Sequence, residues 1–375
     1  MSAEVLVVGG GVIGCVVAYE LAARHGARVV VLERAVPGAE ASSAAAGILG
    51  AQIESHAGPG GKLGKDAAAI FALMLDSRAR HAELDARLRE EVGLGTGHRN
   101  CGALRVIEAG GDRAAVEGEY AWQRDRGAVV ESLDDREVRR LEPALAASVL
   151  GAVHLPDEAQ VDPPALLRAL QQACAARGVE FRSGILVRGV LAEAGRARGV
   201  ETSDGLMESD AIVIAAGSWS SLLSGMPRDL RSVRPVRGQI VQVETRPPIV
   251  RRVVVGDRGY VVARADGRTL LGSTMEEVGH VKEVTAGGVH EVLSSVLPLL
   301  PSLARAPISA TWSGFRPATA DDRPILGECA IAGLFVATGH HRNGILLSAE
   351  TGRLIADLVA TGRCDRDLSP FAPSS

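Results

Sequence analysis

The amino-acid sequence predicts an α/β protein, α+β overall, in which a parallel-sheet nucleotide-binding domain is interrupted by an antiparallel-sheet domain. An apolar run at residues 4–8 leads directly into a Gly-x-Gly-x-x-Gly sequence at residues 9–14. A second apolar run, residues 211–216, occurs much later and also ends in a glycine. Residues 253–275 contain β-rich segments joined by an Asp-Gly turn. Apolar runs of this kind are typical of buried parallel strands, and the Asp-Gly turn is typical of an antiparallel hairpin.

The first glycine sequence has the spacing of a dinucleotide-binding loop. Gly9 allows the tight turn out of the strand, Gly11 lets the backbone approach a pyrophosphate, and Gly14 allows close packing of helix on strand. The amides of Val12 and Ile13 are then expected to face the phosphates at the positive end of the helix dipole. The sequence therefore predicts a phosphate site at the start of the first helix.

An acidic residue closes the next apolar run. Glu33 follows residues 29–32, at a position where a carboxylate accepts hydrogen bonds from ribose hydroxyls and disfavours a 2′-phosphate. The ligand is therefore predicted to be NAD- or FAD-like rather than NADP-like. A glycine-rich turn without a ligand is the alternative, and the accompanying strand, helix and carboxylate favour dinucleotide binding.

Composition and charge argue against several classes of protein. The 375 residues carry a net charge of −4, so no basic field attracts nucleic acid or an acidic membrane surface. The five cysteines are odd in number and far apart, which is typical of a reducing cytoplasm and argues against a disulfide framework or structural zinc. We expect a cytoplasmic protein without a metal ion, an export signal or a transmembrane segment.

Small residues and a long helical pattern follow the first unit. Residues 42–50 allow the backbone to lie flat against a planar ligand, or else form a tightly packed helix start. Residues 66–92 have the apolar spacing of an amphipathic scaffold helix. Asp162 and Pro163 are predicted to begin another helix, which Gly178 ends.

The apolar run that ends at Gly217 distinguishes two kinds of nucleotide-binding protein. A parallel strand so far from the glycine loop is unusual for a simple NAD dehydrogenase, whose nucleotide domain is contiguous. It is the usual arrangement when a substrate domain interrupts a Rossmann-like domain, as in flavoproteins. The position of this strand therefore favours FAD.

Tyr260 is a candidate substrate contact in the predicted antiparallel sheet. It shares one face of its strand with Arg258, Val262 and Arg264. Its hydroxyl can donate to a substrate carboxylate, or the ring can pack in the core with its hydroxyl satisfied.

Arg316 is a candidate carboxylate ligand. It lies between an aromatic residue and a proline, where the guanidinium fork can hold a carboxylate through two hydrogen bonds. A structural ion pair with Asp321 or Asp322 is the alternative.

The last candidate region is a turn between a strand and a helix. Residues 334–338 are predicted to lead through residues 340–344 into a helix beginning near Ile345. The positive end of that helix is expected at the pyrimidine ring of a flavin, where it stabilises negative charge in the reduced state. His340 and His341 are adjacent, which rarely suits one metal ion, so flavin-contact or loop histidines are favoured over metal ligands.

With these motifs the chain resembles the D-amino-acid-oxidase-like flavoprotein superfamily, and within it the bacterial glycine oxidases. The resemblance covers nearly the whole chain and is most specific at residues 43–47, 272–275, 312–327 and 339–347. It implies noncovalent FAD and oxidation of small amines such as glycine, sarcosine and short D-amino acids. It also implies dioxygen as acceptor, a link to thiazole formation in thiamine biosynthesis, and a homo-oligomer, namely a tetramer.

The resemblance sets the expected domain limits. Residues 1–85, 155–225 and 320–375 are expected to form the FAD-binding domain, and residues 86–154 and 226–319 the substrate-binding domain.

The resemblance also implies the roles of single residues. Arg316 binds the substrate carboxylate, Tyr260 assists it, and Arg342 lies near substrate and flavin, so these three are the predicted catalytic residues. Ala46 to Ile48 line the isoalloxazine, and the backbone of Val187 meets the adenine. The predicted FAD contacts are Gly9, Gly11, Val12, Ile13, Gly14, Glu33, Arg34, Ser42, Ser43, Ala46, Gly47, Ile48, Val187, Gly217, His340, His341, Arg342, Asn343, Gly344, Ile345 and Leu346.

Three residues depart from the glycine oxidase pattern. Ile48 stands where methionine is common, His341 where an aromatic residue is common, and Arg258 where a histidine is expected. Arg258 either changes the preference for anionic substrates or forms a surface ion pair.

The implied reaction needs little acid–base machinery. Arg316 holds the carboxylate, hydride transfer from the α-carbon to flavin N5 leaves an imine, and water then gives glyoxylate and ammonia from glycine. Dioxygen is reduced to hydrogen peroxide. The alternatives are a D-amino-acid dehydrogenase that uses a non-oxygen acceptor, and a non-catalytic flavoprotein subunit.

Overall fold

The computed structural model describes residues 4–55 and 66–373. Its helices are α1 (Val12–His25), α2 (Ala41–Ala44), α3 (Ala67–Val92), α4 (Arg113–Glu119), α5 (Ala121–Arg124), α6 (Asp135–Leu141), α7 (Pro163–Ala176), α8 (Ala286–Val296) and α9 (Gly344–Thr361). Among the described helices, none has the length and apolar character needed to cross a bilayer.

The strands alternate with these helices in the first half of the chain and cluster in the second. They are β1 (Glu4–Val8), β2 (Arg28–Glu33), β3 (Ile48–Leu49), β4 (Arg99–Asn100), β5 (Ala103–Glu108), β6 (Glu131–Asp134), β7 (Val149–Leu155), β8 (Ala159–Gln160), β9 (Glu180–Ser183), β10 (Val187–Glu193), β11 (Arg196–Thr202), β12 (Gly205–Glu208), β13 (Ala211–Ile214), β14 (Arg234–Glu244), β15 (Val253–Val255), β16 (Tyr260–Ala263), β17 (Arg268–Gly272), β18 (Ile308–Ala318), β19 (Ile325–Glu328) and β20 (Leu334–Thr338).

A mostly parallel sheet has the strand order β19-β20-β13-β1-β2-β9. β1 pairs in parallel with β2 on one side and with β13 on the other, so the predicted late strand lies beside the first one. α1 packs closely on this sheet, since a Cβ at Gly14 would lie 1.9 Å from the Gly9 carbonyl oxygen. The interrupted Rossmann-like arrangement is therefore confirmed.

A second large sheet has the order β18-β14-β17-β16-β15-β5-β7-β6. The predicted hairpin strands β15, β16 and β17 pair in antiparallel fashion. One pair departs from the prediction, because β15 and β5 run parallel. These two strands are not joined by a hairpin, since the intervening chain passes through the first sheet, and so no turn fixes their relative direction.

The predicted domain limits stay a prediction. The strands of the parallel sheet lie in the segments expected for the FAD-binding domain. Those of the second sheet lie in the other segments, apart from Leu155 at the end of β7. The limit between residues 85 and 86 falls inside α3, which is continuous over Ala67–Val92.

The predicted helix at Asp162 is present, but its N-cap differs in detail. α7 begins at Pro163, and Asp162 is the N-cap residue without a side-chain capping bond. Its carboxylate instead pairs with Arg268 Nη2 at 2.5 Å. This ion pair ties the start of α7 to β17 in the second sheet.

The scaffold helix α3 packs against the first turn of α9. Ser77 Oγ donates to the Leu346 carbonyl at 2.6 Å and accepts from the Glu350 amide at 3.1 Å. His81 Nε2 donates to the carbonyls of Ile345 and Leu346 at 2.9 and 3.0 Å. Burial lowers the pKa of His81 to about 4, so the ring is neutral near pH 7. α3 therefore fixes the position at which α9 begins.

A buried carboxyl supports the segment that follows β3. Glu158 Oε1 accepts from the Gln52 amide and from Arg78 Nη1, both at 2.8 Å. Burial raises the pKa of Glu158 to about 7 despite the nearby Arg78 guanidinium. Protonation of this group is therefore linked to folding.

We expect Glu158→Gln to remove a pH-dependent contribution to stability. A raised pKa stabilises the native state below the unfolded-state pKa, and this stability is lost as the pH rises through about 7. From pH 4.5 to above 7, the free energy of unfolding of the natural protein should fall relative to that of Glu158→Gln by up to about 3 kcal/mol. Urea denaturation at several pH values measures this difference. Glu83→Gln is the control, because the Glu83 side chain is 69% exposed. A difference that does not change with pH would contradict the assignment.

Candidate active site

A cavity of about 1040 Å³ runs from the carboxyl ends of β1, β2 and β13 to the face of the second sheet. All predicted catalytic and FAD-contact residues lie in its wall except Gly14, Ser43 and Leu346. Ligands of open α/β sheets bind at this edge, at the point where strand order reverses. The structure thus brings together motifs that are far apart in sequence.

Three predicted FAD contacts lie outside the cavity wall. Gly14 is one turn into α1 and packs against the Gly9 carbonyl. The Ser43 hydroxyl donates back to the Glu40 carbonyl at 3.3 Å. Leu346 is buried in the core, and its backbone carbonyl accepts a hydrogen bond from Ser77 of α3. These three residues therefore support the site without lining it.

The glycine loop has the geometry of a phosphate cradle. Gly9 has a φ of 108°, and a Cβ there would lie 2.5 Å from the Ala215 carbonyl oxygen. A Cβ at Gly11 would meet only Ser42 Oγ, at 3.2 Å, so this backbone is open toward the cavity. The Ser42 hydroxyl accepts from the Val12 amide at 2.9 Å. The Val12 amide is therefore already paired within the protein, while Gly11, Ile13 and the Ser42 hydroxyl lie in the cavity wall, where they can bind a pyrophosphate.

The acidic residue after β2 is held by backbone amides. Glu33 accepts from the Gly10 amide at 2.9 Å and from the Ala35 amide at 3.0 Å. Arg34 beside it stacks over Trp219, with its guanidinium carbon 3.9 Å from the ring centroid, and pairs with Glu40 at 2.8 Å. No sequence pattern had marked Trp219 as a site residue. The fixed carboxylate fits a ribose, as expected for FAD.

The small-residue segment forms one wall of the cavity. α2 ends at Ala44, and the following backbone is extended at Ala45. Trp312 Nε1 donates to the Ala44 carbonyl at 3.0 Å, and the Arg264 guanidinium donates to the Ala46 carbonyl. Gly47 has a φ of 76°, and a Cβ there would lie 2.2 Å from the Val161 carbonyl oxygen. The segment thus contains a short helix followed by extended backbone, and contact of this backbone with a planar ligand stays a prediction.

The Arg316 guanidinium lies on the second sheet where Gly238 has no side chain. In the register of β14 and β18, Gly238 pairs with Gly314 and Val236 pairs with Arg316. A Cβ at Gly238 would lie 2.4 Å from both terminal nitrogens of Arg316. The guanidinium donates to the Thr274 carbonyl at 3.1 Å and to Ser273 Oγ at 2.6 Å. Glycine at position 238 therefore makes room for the arginine head group.

Arg316 does not form the ion pair offered as its alternative role. Asp321 pairs with Arg323 at 2.6 Å, and Asp322 pairs with His341 at 2.9 Å. Burial lowers the pKa of Arg316 from its usual value, although a guanidinium keeps its charge near neutral pH. A half-buried cation without a carboxylate partner among the described residues is thus present in the cavity wall.

Tyr260 is accommodated by a second glycine. It pairs with Gly272 in the register of β16 and β17. A Cβ at Gly272 would lie 2.3 Å from the Tyr260 hydroxyl oxygen. Burial raises the pKa of Tyr260, so its hydroxyl keeps its proton and can donate a hydrogen bond. Neither Gly238 nor Gly272 carried a sequence signal for this role.

Arg342 differs from Arg316 because it has an acidic partner. Arg342 Nη2 lies 2.7 Å from Glu54 Oε2, and the Arg342 side chain is 41% exposed. Glu54 also lines the cavity, and sequence reasoning missed it. The charge of Arg342 is therefore balanced within the protein.

The turn before α9 has the predicted form. α9 begins at Gly344, one residue from the expected start. His340 Nε2 lies 3.2 Å from Thr351 Oγ1, and burial lowers the pKa of His340 to about 3. His341 Nε2 is buried without a hydrogen-bond partner among the described residues, which leaves it available to a ligand in the cavity. Across all the residues that the structure describes, no group of three His, Cys, Asp or Glu side chains is arranged to hold a metal ion.

The residues present fit FAD. The glycine loop leaves room for a pyrophosphate, Glu33 is fixed for a ribose, and His341 and Gly344 at the start of α9 line the same cavity.

Comparison with known proteins agrees with this geometry. The family model for FAD dependent oxidoreductases matches residues 4–358. Glycine oxidase of Geobacillus kaustophilus is 37% identical over 98% of this chain and 96% of its own length. The crystal structure of glycine oxidase from Geobacillus kaustophilus has a TM-score of 0.90, at 35% identity, and covers 100% of this chain and 99% of that one.

A further relative is longer than this chain. The bifunctional protein ThiO/ThiG of Trichormus variabilis is 36% identical over 99% of this chain. The chain spans 55% of the length of that relative, or about half.

Proposed function

Because the chain belongs to the family of FAD-dependent oxidoreductases, we propose that it oxidises glycine, sarcosine and other small amino acids with release of hydrogen peroxide. The observation that carries this proposal is the Arg316 guanidinium, which lies beside the cavity without an acidic partner among the described residues. Relatives named glycine oxidase, similar over nearly their full length, support the choice of substrate. We place the reaction in thiazole formation for thiamine, since a ThiO/ThiG protein is also similar.

The chain's own residues are proposed to bind and orient the substrate. The Arg316 fork binds the carboxylate, and the protonated Tyr260 hydroxyl donates to the same group. The α-carbon is thereby held against the part of the cavity formed by residues 44–48. Bound FAD supplies the chemistry of accepting two electrons as hydride and passing them to dioxygen. Neutral His340 adds no charge to this region.

Hydrolysis completes the balance of the proposed reaction. Glycine, water and dioxygen give glyoxylate, ammonia and hydrogen peroxide. Water adds to the imine, the C–N bond then breaks as ammonia leaves, and the two electrons lost by carbon reduce dioxygen. No protein nucleophile takes part.

Tyr260→Phe is expected to weaken substrate binding while flavin content stays normal. Loss of one hydrogen bond to a charged group costs roughly 1.5–3 kcal/mol, on the order of a 10- to 100-fold rise in the Michaelis constant for glycine. Steady-state peroxide assays measure this change. Tyr19→Phe is the matched control, because the Tyr19 hydroxyl donates to Glu91 at 2.9 Å, outside the cavity wall. Equal effects of the two substitutions would argue against substrate contact by Tyr260.

A panel of amines with two electron acceptors tests the proposed function. The purified protein should be yellow, release intact FAD on acid precipitation, and form peroxide in air with glycine or sarcosine. It should act on these substrates faster than on bulky D-amino acids. Reduction of an artificial acceptor without peroxide in air would instead identify a dehydrogenase. Flavin that no amine reduces would identify a non-catalytic subunit.

We also propose that the protein is a homo-oligomer, specifically a tetramer, and acts in the cytoplasm. This proposal rests on the resemblance to glycine oxidases set out from the sequence. Light scattering coupled to size exclusion gives the mass in solution, and the mass of a single chain would overturn the proposal.

A further inference from the structure

The turn between β15 and β16 places an arginine at the rim of the cavity. The Gly256 amide donates to the Gly259 carbonyl at 2.8 Å and closes this turn. Arg258 lies at its tip, is exposed, and lines the cavity two residues before Tyr260.

The carboxylates nearest to Arg258 in sequence and sheet order have other partners. Asp257 Oδ1 pairs with Arg105 Nη2 at 2.8 Å. Glu108 Oε1 accepts from the Asp257 amide at 3.0 Å. Glu291 of α8 also lines the rim, yet Arg258 forms no ion pair or side-chain hydrogen bond with any described residue. The surface ion pair considered from the sequence is thus absent from the described part of the chain.

The cavity wall around Tyr260 carries more positive charge than is needed to bind a substrate with one carboxylate. Arg316 already serves as the carboxylate ligand in the proposed function, and Glu54 balances Arg342. Arg258 is a further cation in the same wall, on the side where the cavity opens to solvent. A guanidinium in this setting favours an anionic group because its hydrogen-bond donors are unpaired.

We propose that Arg258 binds a second carboxylate on the substrate, so that the enzyme prefers small amines carrying two carboxylates. This inference rests on the proposed amine oxidation. One carboxylate binds to Arg316 and the other, attached through the amine nitrogen or the side chain, reaches Arg258 at the rim. Iminodiacetate and D-aspartate represent these two attachments, and sarcosine and D-alanine are their counterparts with one carboxylate.

Substrate pairs measured on three variants test the inference. For the natural protein, kcat/KM should be higher for at least one dicarboxylate than for its counterpart. Arg258→Ala should reduce the ratio of the two values about tenfold, and Arg258→Glu should reduce it further through repulsion. Arg305→Ala, which removes an exposed arginine outside the cavity wall, should leave the ratio unchanged.

A binding measurement separates substrate recognition from turnover. Malonate should perturb the visible flavin spectrum at lower concentration than acetate, and Arg258→Ala should remove this difference. Raising the salt concentration should reduce it as well, because the site is exposed. The FAD content and melting temperature of Arg258→Ala should match those of the natural protein.

The outcomes distinguish failure of this inference from failure of the proposed function. If Arg258→Ala lowers both members of each pair by the same factor, the second carboxylate site is wrong although amine oxidation stands. The same conclusion follows if malonate and acetate bind equally well to the natural protein. If neither sarcosine nor glycine reduces the flavin, the proposed function itself fails.

Discussion

Arg316→Ala is expected to raise the Michaelis constant for glycine on the order of a hundredfold or more, with FAD content unchanged. The substitution removes a paired, charge-assisted contact worth roughly 2–5 kcal/mol when the group is partly buried. Arg316 has no acidic partner among the described residues, so its removal leaves no carboxylate unpaired in the protein. The loss should therefore appear in substrate binding rather than in stability.

Two further variants sharpen this test. Arg316→Lys should recover only part of the affinity, because a point charge cannot reproduce the fork. Gly238→Ala should raise the Michaelis constant while leaving Arg316 in the chain, since the new Cβ would lie 2.4 Å from the guanidinium nitrogens. If Arg316→Ala instead has a lower melting temperature and lower flavin content, with a normal Michaelis constant in the folded fraction, then the role of Arg316 is structural.

Gly14→Ala is expected to abolish stable FAD binding. The added Cβ would lie 1.9 Å from the Gly9 carbonyl oxygen, and neither α1 nor the loop at Gly9 can shift without opening the phosphate cradle. The purified protein should be colourless or largely insoluble. FAD per chain after acid release and the melting temperature are the two measurements.

Gly118→Ala is the matched control for this helix glycine. Gly118 lies within α4, and a Cβ there meets no atom within 4 Å. This variant should keep its flavin and should be slightly more stable, because alanine favours helix over glycine. A yellow Gly14→Ala protein with a normal melting temperature would show that helix and loop are not packed as described.

The sequence predicted those parts of the fold that depend on local patterns. The glycine loop, Glu33 and the Asp-Gly turn act within a few residues or within one βαβ unit, so their geometry follows from their spacing. The position of α9 was predicted within one residue. The choice of Arg316 for the cavity wall came from its neighbours and from family resemblance, and its place there was found in the structure.

The sequence did not predict features that depend on the pairing of strands distant in sequence. The parallel pairing of β15 with β5 and the gaps at Gly238 and Gly272 depend on which strands become neighbours. Leu346 lies outside the cavity wall, and its predicted FAD contact stays a prediction, because the face of α9 that meets α3 is fixed only by packing.

Glu54 was missed for a related reason. Its carboxylate acquires a role only through Arg342, nearly 300 positions away in the sequence, according to their ion pair at 2.7 Å. No local pattern marks a single acidic residue of this kind.

Glycine oxidation by this protein is tested most directly by anaerobic mixing of the purified yellow protein with glycine, followed through the visible absorbance of the flavin. We expect full bleaching, formation of one glyoxylate for each flavin reduced, and return of the colour with peroxide formation when air is admitted. A flavin that stays oxidised with glycine, sarcosine and short D-amino acids alike would contradict it.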